Sequence, residues 1–397
     1  MKKSLTDLAL FGGAPAFAEV RSTSNLVQPD IETFFAYARR SFDSRRLTNN
    51  GPLVQLLEVR LAELHQARFC VSFCNGLWGL VLAMACLAKE GCSEIIMPSL
   101  TYRRMADIAA WLRLTPRFCD VSRDTLAPSV ADVEACMNER TALILVIHPI
   151  VHLADIDGFT ALAAKWRLPL LFDSVEAAYA SHRGKMIGAF GNAECFSMHA
   201  SKLLNGFEAG YLTTDDEDLA LRLRKMRAFG FFGQDNVDEL GLNAKLNEIH
   251  AAMALASLDD LEDQVRRNCG RFHAYRDALQ GLKGVDLVAY DEAEKRGFKN
   301  ILVELTESWP LTRAQTLRIM HAENMLARPY YSPPLHMRKT AYPTAFGPLP
   351  TTELLSERYM LLPSGEFLDV PDVQVVVDLL RFLQDSGAAI GQRLGGG

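Results

Sequence analysis

The chain has 397 residues, 49% of them hydrophobic and 23% charged, with a net charge of −6 at pH 7. These values suit a globular protein of two or three domains and exclude a disordered, coiled-coil or collagen-like chain. The negative balance gives no nucleic-acid footprint, and the longest apolar runs, such as Thr141 to Ile147, are far too short to span a bilayer. Residues 1–50 read as an N-terminal arm. Met1-Lys2-Lys3 hints at a signal peptide, but Asp7 interrupts the apolar stretch that would follow, so an ordinary amino terminus is expected. The arm ends in the turn signal Asn49-Asn50-Gly51-Pro52, after which Val54, Leu57, Leu61 and Leu64 recur at helical spacing. Strands and helices then alternate. Strands are predicted at residues 69–73, 94–97, 116–119, 143–147 and 168–172, with helices at 77–89, after Pro98-Ser99 through Trp111, and at 158–166.

Near-continuous apolar strands alternating with helices predict a mainly parallel sheet covered on both faces. In such sheets ligands sit at the carboxyl ends of the strands, and Asn75-Gly76, Ser99, His148 and Asp173 all fall there. After residue 216 the texture changes. Amphipathic helices are predicted at 219–228 and 243–261, then a smaller α/β region with a strand at 299–305 and a helix at 370–383. The expected division is a large domain over 51–264, a small C-terminal domain over 265–390 and a frayed tail over 391–397. The eight cysteines include no C-x-x-C pair, and several lie in apolar surroundings, which suits reduced core thiols in a cytoplasmic protein. The nine histidines show no metal-ligand spacing, so no metal is expected.

The strongest local constellation is Phe196-Ser197-Met198-His199-Ala200-Ser201-Lys202. A lysine is ordinarily a solvated charge. In apolar surroundings desolvation would lower its pKa, and a neutral amine can bond an aldehyde cofactor. Asp173, alone after an apolar strand, reads either as a helix N-cap or as the carboxylate partner of a pyridine nitrogen. Asn75-Gly76 opens a helix, as a tight turn or as a phosphate cradle. Tyr102 reads as a half-buried core tyrosine or as a ring that stacks on a cofactor.

Together these residues resemble the DegT/DnrJ/StrS family of pyridoxal-phosphate-dependent sugar aminotransferases. The likeness covers about residues 8–365. Further motifs carrying it are Leu47-Thr48-Asn49-Asn50-Gly51-Pro52-Leu53, Met97-Pro98-Ser99-Leu100-Thr101-Tyr102, Phe118-Cys119-Asp120-Val121, Gly188-Ala189-Phe190-Gly191-Asn192 and Pro329-Tyr330-Tyr331-Ser332-Pro333-Pro334 with His336. Within the family the sequence is most similar to enzymes that aminate C4 of dTDP-4-keto-6-deoxyglucose. The resemblance implies a three-layer α/β fold, the PLP-transferase fold type I, and pyridoxal 5′-phosphate as cofactor. It implies amino transfer from an amino acid such as glutamate to a keto group of a nucleotide-linked sugar, in a homodimer with a shared active site. Lys202 would carry the cofactor and shuttle the proton, with Asp173 on the pyridine nitrogen. Gly76, Leu77 and Ser197 would hold the phosphate, Asn243 would reach it from the other subunit, and Tyr102 would stack on the ring. Glu176 would lie beside the ring, with Arg103, His148, Tyr330 and His336 lining the substrate pocket.

Some positions depart from the family pattern. Leu77 replaces a hydroxyl residue. Glu176 replaces Gln or His, adding charge near the ring or being held neutral by burial. Residues 149–152 and the run Arg103-Arg104-Met105 differ near the pocket. They motivate two rival expectations: a related enzyme acting on a non-sugar substrate, and an inactive cofactor-binding regulator.

Overall fold

The computed structural model describes residues 2–24, 28–232 and 236–395. Seven strands build most of the large sheet: β1 (Phe69–Phe73), β2 (Glu94–Pro98), β3 (Thr115–Cys119), β4 (Thr141–Ile147), β5 (Leu170–Asp173), β6 (Ala193–Ser197) and β7 (Gly210–Thr214). Two later segments, β8 (Val285–Leu287) and β9 (Ile301–Leu305), start a second sheet. It is completed by β10 (Arg328–Pro329) and β12 (Tyr359–Leu362), while β11 (Ala345–Phe346) returns to the edge of the first. The large sheet runs β11-β3-β2-β4-β5-β6-β7-β1, all parallel except β7, which pairs antiparallel with both neighbours. The small sheet runs β8-β9-β12-β10 and is wholly antiparallel.

Helices cover both faces of the large sheet, so β4 buries all seven of its residues and reads as an unbroken apolar run. The expected α/β architecture, a large mainly parallel sheet with a smaller α/β region, is what the chain forms. Helix α1 (Ile31–Ser44) packs on α8 (Glu248–Asp259). Between them in sequence lie α2 (Pro52–His65), α3 (Gly76–Leu87), α4 (Met105–Trp111), α5 (Val130–Cys136), α6 (Ile156–Trp166) and α7 (Glu217–Met226). The first turn of α3 is closed by Asn75, whose side chain accepts from the Trp78 N–H at 3.0 Å.

Three regions differ from the sequence reading. Residues 1–50 are not a single arm. The Ala9 and Ala16 N–H groups bond the Glu323 carboxylate at 2.8 and 2.7 Å, tying the N-terminus to the C-terminal region, and α1 is a separate helix. The helix expected at 243–261 begins only at Glu248, because the Asn247 side chain caps it by accepting from His250 N–H at 2.9 Å. A break at Asp260 then starts α9 (Leu261–Ala278). Residues 391–395, expected to fray, belong to the last helix, which runs from Val370 to Gly395. All eight cysteines are free thiols, and no helix among the described residues is long and apolar enough to cross a membrane.

Candidate active site

The carboxyl ends of β2, β4, β5 and β6 converge with the start of α3. Register places Asp173, last in β5, beside Cys195 of β6. The Cys195 thiol faces the Gly76 carbonyl at 3.4 Å. The approach is tight at Gly76 and leaves no room for a side chain at Gly210. A Cβ on Gly76 would meet the Phe196 carbonyl oxygen at 3.1 Å and Ser197 Cβ at 3.4 Å, while a Cβ on Gly210 would strike the Gly76 nitrogen at 2.3 Å. The two glycines let α3 start hard against β6 and β7, and the first N–H groups of a helix, here those of Gly76 and Leu77, have no partner within it.

Lys202 follows β6 through a turn in which its N–H bonds the His199 carbonyl at 2.8 Å. Its ammonium lies 2.5 Å from Glu176 Oε1, with the side chain 24% exposed. The second Glu176 oxygen accepts from Asn300 Nδ2 at 3.1 Å and faces Lys299 Nζ at 3.3 Å. Three charged side chains from two regions of the chain thus share one small volume. Burial opposes the Glu176 charge, but Lys202 and then Lys299 outweigh it and hold the carboxyl well below the usual range. Burial also pulls on Lys202, yet Glu176 prevails and keeps its ammonium above the ordinary lysine value. This corrects the expectation that desolvation alone would neutralise it. The two lysines together favour the charged form of the Glu176 carboxylate.

Asp173 behaves oppositely. Burial pushes its carboxyl up to about 6, against the Val175 N–H that it accepts at 3.1 Å. No cationic nitrogen lies within 4 Å of it among the described residues, and no helix follows, so it is not an N-cap. A buried carboxylate without a counter-ion, a helix N-terminus pressed on a glycine and a lysine at the strand ends fit pyridoxal 5′-phosphate: a pyridinium for Asp173, a phosphate for α3 and Ser197, an aldehyde carbon for Lys202.

The remaining predicted residues are placed unevenly. Tyr102 is 52% exposed just beyond β2 and acts electrostatically on Lys202. His336 bonds Ser99 through Nδ1 at 2.7 Å, and Tyr330 is buried with its ring centroid 4.5 Å from that of Tyr331. His148 is buried, stacked on Phe172 at 5.2 Å between centroids, and its Nδ1 accepts from Ala154 N–H at 3.1 Å. Burial, reinforced by Arg296, lowers it to about 3, so it is neutral, with the proton on Nε2. Arg103 is exposed. Asn243 is exposed and bridged to Ala228, and the carbonyl of the adjoining Ala244 accepts from the Cys74 N–H at 2.8 Å. Residues 149–152, singled out as a departure, line a small pocket with Glu176 and Lys299.

Sequence reasoning missed Lys299 and Asn300. A lysine ahead of the apolar strand β9 reads as solvated, and only the meeting of β9 with the β5 end reveals its partner.

The profile of the DegT/DnrJ/EryC1/StrS aminotransferase family matches residues 29–381. The fold superimposes on the crystal structure of DesI in the presence of its TDP-sugar product with a TM-score of 0.92. The sequences are 34% identical, covering 98% of this chain and 99% of that one. A UDP-N-acetyl-3-dehydro-alpha-D-glucosamine 3-aminotransferase of Acidithiobacillus ferrooxidans is 31% identical over 84% of this chain and 89% of its own. An L-glutamine:2-deoxy-scyllo-inosose aminotransferase of Streptomyces fradiae is 35% identical over 56% of this chain and 54% of its own.

Proposed function

This chain belongs to the DegT/DnrJ/EryC1/StrS aminotransferase family of pyridoxal-phosphate-dependent enzymes, and on that premise we propose that it moves an amino group from glutamate or glutamine to the ketone of a nucleotide-linked deoxy sugar. The observation that carries the reading is the meeting at the strand ends of Lys202, Glu176 and a buried Asp173 that has no contact ion pair among the described residues. Pyridoxal 5′-phosphate, when bound, supplies an electron-withdrawing ring that spreads the negative charge left where a proton is removed from carbon. Lys202 holds the cofactor and, once released, its Nζ takes the proton from the donor's α-carbon. In the reverse half-reaction it returns a proton to the carbon that receives the amine. Asp173 keeps the pyridine nitrogen protonated. Gly76, Leu77 and Ser197 hold the phosphate, and Tyr102 covers the ring. Arg103, His336, Tyr330 and, from beneath, His148 shape the acceptor pocket. Support for a sugar acceptor comes from the TDP-sugar in the DesI structure and the UDP-sugar named for the A. ferrooxidans relative.

The working unit is a homodimer, with Asn243 of one subunit reaching the phosphate of the other. Phe229, Phe231, Val237 and Leu240, all more than a third exposed near the Asn243 segment, are the apolar surface that a second copy would cover. The free thiols suit the reducing cytoplasm. The region boundaries of 51–264 and 265–390 are proposed as the units of folding.

A second reading, a non-sugar cyclic ketone as acceptor, is favoured by the inosose aminotransferase relative and by the unusual residues 149–152 beside Glu176. The deciding experiment loads the protein with pyridoxal 5′-phosphate and records its visible spectrum before and after glutamate, then after dTDP-4-keto-6-deoxyglucose or 2-deoxy-scyllo-inosose. Bleaching by glutamate and recovery with the nucleotide sugar support the first reading. Recovery with the cyclitol alone supports the second. A band that glutamate and glutamine both leave unchanged defeats both.

A further inference from the structure

Resting on the reading that Lys202 bonds the cofactor, we propose that Lys299 is a positioning residue, the resident counter-ion that keeps Glu176 charged and aimed at Lys202 once the Lys202 ammonium has been spent. The site holds one carboxylate between two lysines. Glu176 Oε1 is 2.5 Å from Lys202 and Oε2 is 3.3 Å from Lys299, with Asn300 completing the second oxygen at 3.1 Å. When the Lys202 nitrogen forms a bond to carbon it ceases to be a free ammonium. A carboxylate this enclosed cannot stay ionised without a counter-charge. The side chain of Lys299 is 12% exposed and Glu176 is its ion-pair partner among the described residues, so its charge is committed to that carboxylate. Its backbone origin matters as well. Lys299 precedes β9 of the small sheet whereas Glu176 follows β5 of the large one, so the pair also ties the two regions across the site.

The other groups around the pair do not replace it. Tyr290 and Tyr330 are buried and Tyr331 is half-buried near Glu176, and burial pushes all three hydroxyls up, so they are neutral. Asp173 and Tyr102 act on Lys202 rather than supply positive charge to Glu176. Burial lowers Lys299 itself to about 8, against the pull of Glu176, so its charge depends on that carboxylate and weakens as the pH rises through that value.

The test compares wild type, Lys299→Met, Glu176→Gln, the double variant and Lys299→Arg. Without cofactor, Lys299→Met should lower the melting temperature by several degrees in the wild-type background and much less in the Glu176→Gln background. Equal drops in both would mean lost packing alone and would overturn the proposal. With pyridoxal 5′-phosphate bound, the readout is the pH midpoint of the visible band. Lys299→Met removes the charge that keeps Glu176 ionised, so the midpoint should fall by about one pH unit, toward that of Glu176→Gln. In the Glu176→Gln background, where Lys299 has lost the carboxylate that holds its charge, adding Lys299→Met should move the midpoint little, and Lys299→Arg alone should leave it near wild type. A midpoint for Lys299→Met at or above the wild-type value would show that Glu176 stays charged without Lys299, and the proposal would fail. Should wild type take up no pyridoxal phosphate, the cofactor reading fails by itself, and the cofactor-free melting series still decides the pairing.

Discussion

Glu58 and Glu176 are both enclosed carboxylates facing two cations, and they are built for opposite purposes. Glu58 on α2 meets Arg227 at 2.5 Å and Arg224 at 3.6 Å, and also accepts from the Ser72 N–H at 2.9 Å and hydroxyl at 2.8 Å. Both arginines reach backbone carbonyls as well, Arg227 that of Ser72 at 2.6 Å and Arg224 that of Cys70 at 3.0 Å. Glu176 instead meets two lysines and one amide. An arginine fork is permanently charged and satisfies several acceptors at fixed angles, so the Glu58 network locks α2 and α7 onto β1. A lysine can give up its proton when its surroundings demand it, so the Glu176 cluster can change charge during a reaction. The choice of cation separates a structural lock from a reactive site.

The comparison breaks most sharply at Lys202. Lys202→Ala should reduce turnover by ~10⁴-fold or more and abolish the visible band of the loaded protein. Retention of wild-type transamination would end the assignment. Arg227→Met should do the reverse, lowering stability by about 3 kcal/mol because it removes the nearer of the two Glu58 cations and leaves Arg224 at 3.6 Å, while leaving the band of the surviving folded protein in place. Denaturant melts followed by a cofactor titration distinguish the two patterns, and a stable Arg227→Met protein would remove the lock from the comparison.

Asp173 sharpens it further. Its carboxyl is raised from 3.8 to about 6 in the folded protein. The folded state therefore binds this proton more tightly than the unfolded chain, and stability falls as pH rises from about 4 to 6. Above that window the ionised group costs up to about 3 kcal/mol. Asp173→Asn should recover part of that cost at pH 7 and flatten the slope between pH 4 and 6, while turnover drops because the amide cannot hold the pyridine proton. A cofactor-free Asp173→Asn protein less stable than wild type at pH 7 would contradict the burial argument. The smallest effect is expected at Asn75, whose replacement by Ala should cost about 1 kcal/mol through loss of the α3 cap, read by melting temperature.

Much of this site was legible because it lies along strand ends. Asp173, Ser197 and Lys202 follow apolar runs that can only be buried strands, and Asn75-Gly76 announces a helix start. Chain order then brings them together, since parallel strands all deliver their carboxyl ends to one edge. The family motifs added pyridoxal phosphate and the fold type. Helix α5 escaped for a local reason, since it buries only Val133 and shows no long apolar stripe; α1 does carry one, Ile31, Phe34, Phe35, Ala38 and Phe42, within the segment read as an arm.

What the sequence by itself determined is the set of elements that bury their own apolar residues and the motif residues attached to their ends. The tertiary structure alone decided the charge state of the site. Desolvation suggests a neutral Lys202, and it does weaken the ammonium, but Glu176 at 2.5 Å reverses the outcome. Lys299, 123 residues from Glu176 along the chain, supplies the second cation that keeps this carboxylate ionised. Sequence periodicity reports burial, which is a property of one element. A titrating group responds to the sum of every charge within a few ångströms, and that sum exists only after distant segments have packed together.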